Sequence, residues 1–183
     1  MRVLVIAASK HGSTTEIAEL IGAVLGEEGH DATTADVGAV GGPDGWGAVV
    51  LGSAVYAGQW LRPAVHFADR HAAALAARPV WLFSSGPIGD PPIPRDEAVD
   101  VRHVVAAVQP VEHRIFPGAL HRSRLGFAER ALVAALRAPY GDFRDWDAVR
   151  HWARQIAADL TQRGGGPGPS SSPAGASGTG RGR

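Results

Sequence analysis

Residues 2–18 read Arg2-Val3-Leu4-Val5-Ile6-Ala7-Ala8-Ser9-Lys10-His11-Gly12-Ser13-Thr14-Thr15-Glu16-Ile17-Ala18, and this stretch decides the fold. Its opening is a short, unbroken β-branched and apolar run with no polar face, the pattern of a strand buried on both sides. The run is too short for a membrane span and lacks a small-residue cleavage site, so it reads as a strand rather than a signal peptide. Beyond it, Ile17, Leu20, Ile21, Val24 and Leu25 recur at i, i+3, i+4, i+7 and i+8, which makes one face of a helix over residues 14–28. Ser13 and Glu16 have the spacing of a capping box at its start. Strand, Gly-containing polar loop, then amphipathic helix is the first half of a βαβ unit.

The alternation continues outward. Apolar or β-branched runs at residues 32–37, 48–53, 80–84 and 111–116 predict further strands, and residues 63–77, 96–107, 122–137 and 145–162 predict helices, with Asp145 as the N-cap of the last. Strands alternating with helices at this spacing form right-handed crossovers and a parallel sheet with helices on both faces. Five strands suit the order 2-1-3-4-5, in which ligands bind at the carboxyl ends of the strands where the order reverses. The loops that open at Ala8, Ala54 and Ser84 meet there. Residues 1–163 are expected to form one domain. Residues 164–183 are so rich in Gly, Pro and Ser that a disordered tail is expected.

Composition narrows the chemistry. The chain has 183 residues, 45% of them hydrophobic, and no cysteine, which excludes disulfides, thiolate-held metals and a cysteine nucleophile, so redox chemistry would need a carried cofactor. Eighteen basic and eighteen acidic side chains give a formal charge of zero, which argues against a nucleic-acid partner. Lys10 is the sole lysine, and it lies in the first loop. No metal site is expected, because His66 and His71 are not on one helix face and no H-E-x-x-H spacing occurs. No G-x-S-x-G elbow is present either.

The first loop, Ser9-Lys10-His11-Gly12-Ser13-Thr14, offers unpaired backbone N–H groups at a helix N-terminus, hydroxyls and a cation, all suited to a phosphate. It is neither a Walker loop nor a G-x-G-x-x-G loop, and the same residues also suit a plain capped helix start. The second, Ala54-Val55-Tyr56-Ala57-Gly58 with Trp60 beyond it, could stack a flat heteroaromatic ring or pack two aromatics. The third, running from Ser84, Ser85 and Gly86 through Gly89 and Asp90, is rigid and rich in amides.

The strand–(Ser/Thr)-x-x-Gly-x-Thr–helix pattern, with Ser9, Gly12 and Thr14 in place, closely resembles the phosphate-binding loop of flavodoxins. His11 stands where many of them have Thr, which removes a hydroxyl, while Lys10 adds a cation. The resemblance is closer still to the flavodoxin-like, menaquinone-dependent protoporphyrinogen dehydrogenases of bacterial haem synthesis. It runs over residues 2–161 through V-L-V-I-A-A-S-K-H-G-S-T-T-E-I-A, V-V-L-G-S-A-V-Y-A-G, F-P-G-A-L and G-D-F-R-D-W-D-A-V-R-H-W-A-R-Q-I-A. It implies a flavodoxin-like three-layer sandwich and non-covalent FMN. The phosphate would be held by Ser9, Lys10, His11, Gly12, Ser13 and Thr14. The ring would lie between Ala54, Val55, Tyr56, Ala57 and Gly58 on one side and Ser84, Ser85, Gly86, Gly89 and Asp90 on the other. The activity implied is that of an FMN-dependent oxidoreductase taking electrons from a small-molecule donor, protoporphyrinogen IX, and passing them to a quinone. A cytoplasmic location is expected, with peripheral contact at the inner face of the membrane as a variant. The stretch from Leu120 to Arg137, apolar on one side through Leu125, Leu132, Val133 and Leu136 and cationic through Arg122, Arg124, Arg130 and Arg137, reads as such a contact, as a groove for propionates, or as an ordinary surface helix with solvated Arg. Two other readings stay open: a small FMN electron carrier without its own substrate, and a flavin-free interaction domain.

Overall fold

The protein is described by a computed structural model covering residues 1–56, 58–86, 101–135 and 138–164. Its strands are β1 (Arg2–Ala8), β2 (Asp31–Asp36), β3 (Ala48–Tyr56), β4 (Gln59–Trp60), β5 (Val80–Ser85), β6 (Glu112–Phe116), β7 (Ala119–Leu120) and β8 (Gly141–Asp142). Its helices are α1 (Ser13–Glu27), α2 (Arg62–Arg70), α3 (Ala72–Ala76), α4 (Arg102–Val108), α5 (Phe127–Ala135) and α6 (Trp146–Gly164). The main parallel strands run in the order β2-β1-β3-β5-β6. This is the flavodoxin-like order expected from the alternation. β4 folds back antiparallel on the end of β3, and β7 pairs with β8 as a separate ribbon.

The unbroken apolar run of β1 is explained by its place inside the sheet. Val3, Val5 and Ala7 pack under α1 and α6, while Leu4, Ile6 and Ala8 pack on the other face with Phe67, Leu75, Val104 and Val108 from α2, α3 and α4. Each such large apolar side chain stabilises the fold by about 1.5–3 kcal/mol. On the α6 face Phe83 and Phe116 meet the Trp152 ring edge-on and lie tilted to each other, with centroids 5.5–6.4 Å apart. A methyl group on Gly52 would overlap the Phe83 ring, so β3 can pass that ring only as glycine.

Three helices differ from their expected form. Residues 63–77 form two helices, α2 and α3, broken at His71 (φ −113°, ψ 18°). An unbroken helix would turn residue 71 toward the core between Phe67 and Leu75. The polar imidazole instead leaves the helix and packs on Phe67, with ring centroids 4.7 Å apart. Residues 122–137 begin with a single 3₁₀ turn, Arg122–Arg124, after which Leu125 turns extended and becomes buried, and α5 starts only after Gly126. Glu129 caps this start, accepting from Gly126 N–H at 2.8 Å. In the stretch 96–107, residues 96–100 lie outside the described residues, and α4 spans Arg102–Val108 before Gln109 enters the left-handed region at φ 52°. Asp145 caps α6 as expected, accepting from Ala148 N–H at 2.9 Å. Apart from Gly164, the last residue of α6, the expected tail lies outside the described residues. Among the described residues, no helix is long and apolar enough to cross a membrane.

Candidate functional site

Register brings the loops to one edge. Ala8 pairs with Ser53, Ser53 with Ser84, and Ser85 with Phe116, so the chain leaves β1, β3, β5 and β6 at the same end of the sheet. Gly86 N–H donates to Phe116 O at 3.1 Å. A Cβ on Gly86 would stand 3.0 Å from Val55 Cβ, so the second and third loops touch where they begin. Ala57, Gly89 and Asp90 lie outside the described residues.

The turn from β1 into α1 hinges on Gly12, the N-cap, at φ 87°. Its N–H donates to Ser9 Oγ at 3.0 Å. Side chains are disfavoured in this backbone region, and a Cβ here would also stand 3.0 Å from Arg124 Nη1. The capping box expected from Ser13 and Glu16 does not form. Ser13 already lies inside the helix, where its Oγ accepts from Ala119 N–H at 3.2 Å. Glu16 is drawn outward to Arg124 at 2.9 Å and Arg144 at 2.6 Å. Among the described residues, no side chain caps α1. The N–H groups of Ser13, Thr14 and Thr15 therefore have neither an intrahelical nor a capping partner and carry the positive end of the helix dipole.

The cations of the loop are not solvated singly. Lys10 Nζ lies 2.5 Å and His11 Nε2 3.0 Å from Glu129 Oε1, and Arg124 Nη1 donates to His11 O at 2.9 Å. Hydrogen bonds from Lys10, then from Gly126 N–H and His11, hold the Glu129 carboxyl down at about 2. Sequence spacing missed Arg124, Glu129 and Arg144 as parts of this cluster. Arg124 is an exposed cation of its segment, but it is ion-paired against the first loop rather than singly solvated.

Tyr56, 42% exposed, stands beside this cluster, its ring 5.4 Å from Lys10 Nζ and edge-on to His11. Partial burial, with the Glu129 charge adding to it, pushes its hydroxyl up to about 12. Trp60 is buried rather than stacking at the surface. Its indole N–H donates to Ser84 Oγ at 2.7 Å, and Ser84 Oγ lies 2.8 Å from His113 Nε2. Burial lowers the His113 pKa, which favours the neutral ring. Ser84 therefore serves a buried polar chain. Ser53 does likewise, donating to Ala54 O at 2.8 Å and accepting from Leu61 N–H at 3.0 Å.

The carboxyl shifts make a pH prediction. Burial pushes the Glu16 carboxyl up, but hydrogen bonds and charge from Arg144 and Arg124 outweigh it and hold it below the usual range. Asp142 is lowered chiefly by its hydrogen bond with Arg144. Folded values below the unfolded ones, roughly 4 for these side chains, mean that the ion pairs stabilise the fold fully above about pH 5 and lose that effect as the pH falls below about 4. Amide exchange of residues 122–135, compared with the sheet, is expected to rise over that interval. An unchanged ratio would contradict the assignment.

The donor set of the first loop fits a phosphate: an ammonium, an imidazole, three helix N–H groups and hydroxyls. Tyr56 and the Val55–Gly86 contact provide an aromatic and apolar border beside it. Among the described residues, no three His, Asp or Glu side chains group as a metal site. The chain is similar to the protoporphyrinogen IX dehydrogenase [quinone] of Escherichia coli strain K12, at 24% identity over 86% of this chain and 95% of that protein. Its fold is shared with a flavodoxin from the domain Archaea (16% identity, TM-score 0.60, covering 88% of this chain and 99% of that one). It is also shared with the rubredoxin oxygen:oxidoreductase of Desulfovibrio gigas (13% identity, TM-score 0.61, covering 90% of this chain and 37% of that one). The flavodoxin domain family matches residues 4–147, from the first buried strand to the start of the last helix, and the chain belongs to that family.

Proposed function

We propose that the protein is an FMN-dependent oxidoreductase that oxidises protoporphyrinogen IX and delivers the electrons to a quinone. The observation that carries the reading is the meeting of an uncapped helix N-terminus, Lys10 and His11 with Tyr56 at the carboxyl end of the sheet. The 24% identical relative supplies the choice of substrate and acceptor. When bound, FMN would supply the two-electron chemistry, and the protein would supply position and electrostatics. Ser9 fixes the turn, Lys10, His11 and the N–H groups of Ser13 and Thr14 hold the phosphate, and Tyr56 with the Val55–Gly86 contact borders the ring. Trp60 and His113 anchor Ser84, at the end of β5, through hydrogen bonds to its hydroxyl. With no net charge, the chain lacks the strong acidity by which a small carrier would dock to basic reductases. Reduced porphyrinogen supplied anaerobically with a menaquinone analogue is expected to yield porphyrin faster than the uncatalysed control. Equal rates would remove the dehydrogenase reading. A colourless preparation that takes up no FMN would remove the flavin.

A further inference from the structure

The anion held by the first loop is a side chain of the protein itself. Glu129, on the first turn of α5, reaches Lys10 and His11 through Oε1 and the Gly126 N–H through Oε2. Arg124 ties the same segment to His11 O and Glu16. Beyond the buried Leu125, most of the described side chains of α5 are exposed. Phe127 is 90% exposed, and Ala128, Ala131 and Ala134 also face solvent. Among the described side chains of α5 only Val133 and Glu129 are even half-buried, so the ion pairs of Glu129 weigh heavily in placing the helix.

A phosphate at the N-terminus of α1 needs the cations that Glu129 already holds, and a phosphate dianion and a carboxylate on one ammonium repel each other. We propose that Glu129 competes with the flavin phosphate for Lys10 and His11, so that loading the cofactor frees α5, residues 127–135, from the loop while Arg124 keeps its own contacts. This rests on the reading that a flavin phosphate binds there. The coupling is reciprocal: whatever draws α5 away raises the affinity for FMN, and FMN raises the population in which α5 is free. Riboflavin, which has no phosphate, leaves the Glu129 contacts in place.

Fluorescence titrations of the full chain with FMN and with riboflavin, at low and high salt, test this. Glu129→Gln is expected to bind FMN roughly threefold to tenfold more tightly at low salt, with the gain shrinking at high salt and riboflavin unchanged. Amide exchange in residues 127–135 of the wild type is expected to speed up with FMN and not with riboflavin. FMN binding that is unchanged or weaker in Glu129→Gln, or slower exchange in α5 on FMN binding, would overturn the competition and leave the flavin reading standing. Failure of both wild type and variant to bind FMN would overturn both.

Discussion

Replacing Lys10 and Thr14 together by alanine is expected to weaken FMN binding by about 100-fold and riboflavin binding by only a few-fold. The two flavins differ by one phosphate, so only contacts to that group separate them. A charge-assisted hydrogen bond contributes about 1.5–3 kcal/mol, which Lys10 would supply to the phosphate, and the Thr14 hydroxyl at the start of α1 would add a weaker neutral one. Loss of Lys10 has a second consequence. Glu129, now paired only with His11 and the Gly126 N–H, keeps its negative charge beside the loop and repels the phosphate. The single Lys10→Ala change should therefore cost more than Thr14→Ala, and adding Glu129→Gln to it should recover part of the loss. Parallel titrations with FMN and riboflavin measure this. Equal losses for the two ligands would contradict the assignment of the phosphate to this loop.

How much of this was legible in the sequence depended on how far apart the interacting residues are. β1 could be read because burial on both faces leaves an unbroken apolar run, and α1 because burial on one face leaves period 3.6. The sheet order followed from alternation, which constrains topology without naming any contact. Ser13 and Glu16 misled because their spacing is local, whereas the partners that capture Glu16 lie 108 and 128 residues away. The same holds for His11 and Glu129, 118 residues apart. Spacing along one element cannot show which distant loop folds onto it, so Arg124 looked like a surface cation. The Glu129 cap did leave a local trace: Gly126 followed three residues later by a glutamate is half of a capping signature, placed inside what seemed a continuous helix. Trp60 is a different case. An aromatic beside a ligand loop reads the same whether it faces a ligand or a buried serine, and only the partner, Ser84 on the neighbouring strand, decides.

Arg144→Ala is expected to destabilise the protein by about 2–4 kcal/mol, a fall in melting temperature of roughly 5–15 °C for a chain of this size. The Arg144 side chain is 4% exposed. Its Nη2 and Nε grip both oxygens of Asp142 at 2.6 and 2.8 Å, its Nη1 donates to Glu16 at 2.6 Å, and the guanidinium lies 4.3 Å from the centroid of Trp146. Removing it strips Asp142 of this ion pair and leaves Glu16 to Arg124 alone. Both carboxylates are 35% exposed, so water replaces part of what is lost, which places the cost below that of a fully buried pair. Arg144→Lys separates charge from geometry. An ammonium can meet one carboxylate but can neither hold Asp142 through two parallel bonds nor stack flat on Trp146, so it should recover less than half of the stability. The loss should also be uneven. Because Glu16 sits on the first turn of α1, freeing it loosens the turn that presents the Ser13 and Thr14 N–H groups, and FMN affinity should fall in Arg144→Lys even at temperatures where the variant is fully folded. Wild-type FMN affinity in a destabilised Arg144→Lys would show that the network holds α6 and the β7–β8 ribbon in place without shaping the phosphate loop.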